Sequence, residues 1–138
     1  MRCLFAAFAI LLVACSTPGQ NLSPEQVIQR IVDRGISEGQ DHKIIGGMGD
    51  AAAVLITKIL AGRSLGTANI DNVLVVLDST FADPGMIAAS DREPRTALFV
   101  LRCLDSSTTD TQLKQRIADT RNRIIERFTK YVRSRAVQ

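Results

Sequence analysis

The sequence predicts an all-α fold: a compact five-helix bundle, or a two-layer helical-hairpin arrangement, with a long basic amphipathic C-terminal helix. Three observations carry that expectation. Apolar residues recur three, four and seven apart over much of the chain after residue 23, and helix-start and helix-stop residues bracket those stretches. No second apolar run offers a partner to the one stretch that would suit a strand. With 46% hydrophobic and 22% charged residues among 138, the chain reads as globular rather than disordered or low-complexity.

The elements follow in order. Ser23-Pro24-Glu25-Gln26 opens the first helix: Ser23 caps, Pro24 occupies a position that needs no N–H, and Gln26 completes a capping box. Val27, Ile28, Ile31 and Val32 then form one stripe, and Gly35 stops the helix. Residues 36–49, with Gly39, Gly46, Gly47 and Gly49 around Asp41-His42-Lys43, read as a connector. A second helix runs from Gly49 to Leu60, with Ala51, Ala52, Leu55, Ile56 and Ile59 on its apolar side. A third starts at Thr67 or Asn69 and buries Ile70, Val73, Leu74 and Leu77. The valine-rich run 73–76 leaves a strand open, but a lone strand has nothing to pair with, so helix is preferred. Phe81 to Arg92 reads as a turn and loop, and Ser90 with Glu93 as a capping box for a fourth helix lined by Ala97, Leu98, Leu101 and Leu104. The last helix, from Asp110 to Arg133, carries Leu113, Ile117, Ile124, Phe128 and Tyr131 on one face. At 1.5 Å per residue it is about 36 Å long and braces the domain. The pairs 24–35 with 49–61 and 70–81 with 94–104 are expected to be antiparallel hairpins packed against it.

The N-terminus is different in kind. Arg2 precedes an uncharged apolar run, Leu4 to Ala14, too short for the roughly 20 residues a membrane-spanning helix needs and suited to a signal peptide. The run ends in Leu12-Val13-Ala14-Cys15, followed by the small and polar Ser16-Thr17-Pro18-Gly19-Gln20. This stretch resembles the signal of bacterial lipoproteins. The resemblance implies cleavage between Ala14 and Cys15 and lipidation of Cys15, whose acyl chains together exceed the marginal hold of a single one. Ser16, rather than Asp, after the cysteine resembles the outer-membrane case in Gram-negative bacteria, with the domain facing the periplasm. The expected organisation is therefore signal peptide 1–14, lipidated Cys15 and polar tether 15–22, and one helical domain 23–138.

Of three cysteines, Cys3 leaves with the signal and Cys15 carries lipid, so no internal disulfide framework is expected. Cys103 lies in the apolar stretch 98–104 and is expected to be a buried small hydrophobe. Charge is bipolar: residues 16–113 carry 8 basic and 12 acidic side chains, residues 114–138 carry 8 basic and 2 acidic. The candidate interaction face is accordingly Lys114, Arg116, Arg121, Arg123, Arg127, Lys130 and Arg133. It suits an envelope protein partner or anionic lipid headgroups, and a solvated face is the plainer alternative. An envelope address argues against nucleic acid.

Chemistry-bearing motifs are sparse. The glycines of 39–49 follow no strand and precede no Gly-Lys-Ser/Thr, so neither a dinucleotide fingerprint nor a phosphate loop is present, and no cofactor is expected. His42 is the sole histidine; with Asp41 and Asp50 it falls far short of a metal motif, and an exposed side chain is expected. Asp71 and Asp78, seven apart, share a helical face of ordinary solvated kind. With no Trp and one Tyr, stacking platforms for sugars are missing, which disfavours glycan processing. The leading expectation is a noncatalytic membrane-tethered adaptor or accessory subunit. The alternatives are a periplasmic immunity or inhibitor protein, using the loop 81–95 or the segment 39–49 as a plug, and a small envelope hydrolase using His42.

Overall fold

At Ser23 the expected capping box closes in both directions: its hydroxyl accepts from the Gln26 N–H at 3.2 Å, and its own N–H donates to the Gln26 side chain at 2.9 Å. From there the structure, a computed structural model that describes residues 22–36 and 39–137, is helical. The expected signal peptide, Cys15 and the expected tether up to residue 21 lie outside the described residues. Six α-helices follow: α1 Pro24–Arg34, α2 Gly39–Ile45, α3 Asp50–Leu60, α4 Thr67–Thr80, α5 Arg95–Ser107 and α6 Thr111–Ala136. Two short 3-10 turns, Pro84–Met86 and Ala89–Asp91, lie between α4 and α5. No strand occurs among the described residues, and the valine-rich run 73–76 is helical.

The sixth helix is α2, inside the segment expected to be a connector. It begins on a glycine and ends before two more, so local propensity does little for it. Tertiary anchors hold it instead: Ile45 is buried in the core, and the buried Asp41 carboxylate pairs with Arg30 of α1. Its packing on α1 and α4 supplies what its sequence lacks.

One apolar cluster joins the stripes of all six helices, with Ile28, Ile31, Ile56, Leu77, Leu101 and Ile124 among its fully enclosed side chains. Burying each such side chain contributes about 1.5–3 kcal/mol. The expected neighbours are only half right. α1 does pack on α3, but α4 lies against α1 and α6, while α5 lies against α3 and α6. The hairpin expected between 70–81 and 94–104 is therefore replaced by two helices on opposite sides of α6.

Polar groups fix these arrangements. The Val32 carbonyl, left without an intrahelical partner near the end of α1, accepts from the Asn69 and Asn72 amides of α4 at 3.0 and 3.1 Å. The Asp50 carboxylate reaches from the start of α3 to the start of α5, accepting from the Thr96 and Ala97 N–H groups at 2.9 Å each. That long-range cap stands where Ser90 and Glu93 were expected to form one; Pro94 precedes the helix and has no capping side chain. Gly49 allows the approach. Its φ is +58°, and a Cβ there would collide with the Asp91 carbonyl and Ile87 Cγ2.

Candidate functional site

All seven residues of the expected interaction face lie on the helix α6. Asp110 starts it, accepting from the Gln112 and Leu113 N–H groups at 2.9 and 3.2 Å. Its 26 residues span about 39 Å. Leu113, Ile117, Thr120 and Ile124 are its buried side chains, while Phe128 and Tyr131, expected on the same face, are partly exposed near its far end.

The side facing α4 is an ion-pair ladder. Arg116 grips Asp71 with two bonds, 2.9 and 3.3 Å. One turn pair further, Arg123 donates to Asp78 at 3.0 Å, and Arg127 donates to the same carboxylate at 3.0 Å and to the Asp78 carbonyl at 3.1 Å. Asp71–Arg116 and Asp78–Arg123 are each separated by 45 residues. An unchanging separation means the two helices run parallel, in a register the seven-residue spacing of both pairs enforces. Asp71 and Asp78 are thus not ordinary solvated carboxylates.

The side facing α5 is organised differently. Lys114 closes its beginning, donating to the Asp105 carbonyl at 2.7 Å and lying 3.5 Å from its carboxylate. Beyond it, Leu98, Leu101, Arg102 and Asp105 of α5 face Ile117, Ala118, Arg121 and Ile125 of α6 across a groove of about 260 Å³. Phe99 is 58% exposed, Ile125 40% and Val132 47%; Ile125 lines this groove, Val132 lies seven residues further along α6, and Phe99 points outward from α5. Cys103 is exposed, contrary to expectation. On α5 the buried stripe is Ala97, Val100, Leu101 and Leu104, which turns position 103 outward despite its apolar neighbours.

The seven-residue basic face therefore divides. Lys114, Arg116, Arg123 and Arg127 are held by carboxylates of this same chain, whereas Arg121, Lys130 and Arg133 have no ion pair among the described residues. Ala118, Ile125 and Val132 recur seven apart, a second stripe readable in the sequence beside the buried one. Phe99 and Arg102 gave no such signal, since their side of α5 emerges only once its buried stripe is placed.

His42 is exposed on α2 and lines a cleft of about 450 Å³ with Lys43, Gly46, Gly47, Asp78, Ser79, Asp83 and Met86. Asp78 is engaged by Arg123 and Arg127, and Asp83 accepts from the Gly85 N–H at 3.0 Å. No hydrogen bond joins His42 to Ser79 or to either carboxylate among the described residues, so the geometry does not assemble a nucleophile and base. Asp41 and Asp50, the other members of the considered metal set, are turned to Arg30 and to the start of α5. No group of three metal-ligating side chains occurs among the described residues.

The loop between α4 and α5 is braced from within. Arg92 donates to the Pro84 and Ile87 carbonyls at 3.0 and 2.8 Å, its guanidinium lies 4.7 Å from the Tyr131 ring centre, and Ile87 is buried. Met86 is left 74% exposed at its tip. At the loop's end, a hydrogen bond to Glu93 and the Glu93 charge raise the pKa of exposed Arg95. Comparison of the chain with known protein families, with curated proteins and with solved structures finds no match.

Proposed function

We propose that the chain is an outer-membrane lipoprotein, anchored through Cys15 and facing the periplasm, whose helical domain acts as a protein-binding adaptor or accessory subunit without catalysis of its own. The anchor rests on the apolar run and Leu12-Val13-Ala14-Cys15. The binding role rests on one observation: Phe99, Ile125 and Val132 leave apolar surface exposed on the adjacent helices α5 and α6. Large apolar side chains exposed beside charge are a mark of interaction surfaces.

The test is fractionation and co-isolation from solubilised envelopes. The native chain is expected in the outer membrane with a stoichiometric partner, and Cys15→Ala in the soluble fraction. A chain that ignores Cys15→Ala overturns the anchor. Turnover of a substrate that His42→Ala abolishes, with helicity unchanged, overturns the noncatalytic reading.

A second reading, an inhibitor of an envelope enzyme, is favoured by the braced loop and exposed Met86. It predicts that Met86→Asp abolishes partner capture while changes at Phe99 do not.

A further inference from the structure

We infer that the groove between α5 and α6 is a docking site for an acidic amphipathic helix of a partner protein. The inference rests on the adaptor reading and adds the place and the partner's chemistry.

α6 carries two heptad stripes. Leu113, Ile117, Thr120 and Ile124 are spent on the core. Ala118, Arg121, Ile125, Phe128, Val132 and Arg135 repeat four and three apart beside them, the spacing of a coiled-coil seam. α5 has 13 residues against 26 in α6, so it can flank only about half of that second stripe. Leu98 stands on one wall of the trough and Ala118 and Ile125 on the other, above the buried Leu101 and Ile117. A third helix laid along it would seat residues at i, i+3, i+4 and i+7 between those walls.

Charge selects the occupant. Arg102 and Arg121 line the trough, one from each helix, and neither has an ion pair among the described residues. Asp105, the one carboxylate on the lining, is near Lys114 at 3.5 Å. Carboxylates flanking an apolar stripe would meet both arginines with bidentate geometry. A second copy of this chain would oppose arginine to arginine. A lipid surface fits less well, since the cations without ion pairs on α6 do not lie in one plane. At 100° per residue, Arg133 and Lys130 are turned about 120° and 180° from Arg121.

The test uses the full chain in zwitterionic vesicles and two dye-labelled helical peptides, three heptads long, with leucine seams flanked by glutamate in one and lysine in the other. Anisotropy is expected to show the glutamate peptide binding with a Kd on the order of 10 μM and the lysine peptide at least about tenfold more weakly. Arg102→Glu with Arg121→Glu is expected to invert that preference with helicity unchanged. Lys130→Glu with Arg133→Glu is expected to leave it intact. Equal binding of both peptides, no binding, or indifference to Arg102 and Arg121 overturns the proposal. So does replacement of peptide binding by uptake of anionic vesicles through these arginines, or by a dimer that Phe99→Asp dissolves. A co-isolated partner that survives the Arg102/Arg121 reversal removes this site and leaves the adaptor reading standing. Peptide binding without any envelope partner does the opposite.

Discussion

On the α4 side of the C-terminal helix, Arg116, Arg123 and Arg127 each hold a carboxylate of the same chain; on the α5 side, Arg121 and Arg102 face an apolar trough without one. The residue type is the same on both flanks, and both come from a chain that looks uniformly basic at its end. The difference is the partner helix. α4 brings aspartates at a seven-residue spacing that matches the arginines, and α5 brings leucines, another arginine and one carboxylate, Asp105, that meets Lys114 instead. Counting positive charge therefore overstates how much of it is left without a carboxylate of the same chain. What remains is smaller, with Arg102 and Arg121 beside Leu98, Ala118 and Ile125.

That contrast can be broken from the middle outward. Ile124→Ala empties a fully buried site beneath both flanks and is expected to cost about 3 kcal/mol in denaturant unfolding. Asp50→Ala is expected to cost about 1–2 kcal/mol, because it strips the cap from the start of α5. Amide exchange in the first turn of α5 should accelerate more than in α6, and equal acceleration in both would show that the cap is not local. Asp78→Ala releases two arginines at once on the paired flank. We expect a loss of about 1 kcal/mol, shrinking as salt rises, and a result independent of salt would deny the ladder its electrostatic share. Arg121→Ala, on the open flank, is expected to move stability by less than about 0.5 kcal/mol. A larger loss would mean that Arg121 already has a structural partner and that the flanks are alike.

How much of this was legible follows from the range of each interaction. α1 and α6 were readable because their apolar spacings act within a few positions and the Ser23 box and Asp110 cap are local contacts, whereas α5 showed its stripe but not its cap, which Asp50 supplies from 46 residues away. α2 was not readable, since a seven-residue segment bounded by glycines owes its helicity to Arg30 and to the core. Cys103 was misjudged because hydrophobic neighbours in sequence do not share a face in a helix. The two flanks of α6 were hidden for a related reason. Asp71 and Arg116 lie 45 residues apart, and nothing in either segment announces which helix will lie alongside.

The parallel course of α4 and α6 has a consequence for how the molecule is made. Two parallel neighbours cannot be joined by a tight turn, so the chain must travel back along its own length before α6 can begin, and the 3-10 turns with α5 make that return. The helix that closes the core comes after the two helices it covers, α4 and α5. Until Ile117 and Ile124 have been added, α4 and α5 each keep an uncovered apolar flank, and the domain has no lid. Closing it means bringing together residues some 45 positions apart, a loop whose entropy is spent before its contacts are gained. The architecture thus defers closure of the core until α6 follows the two helices it covers.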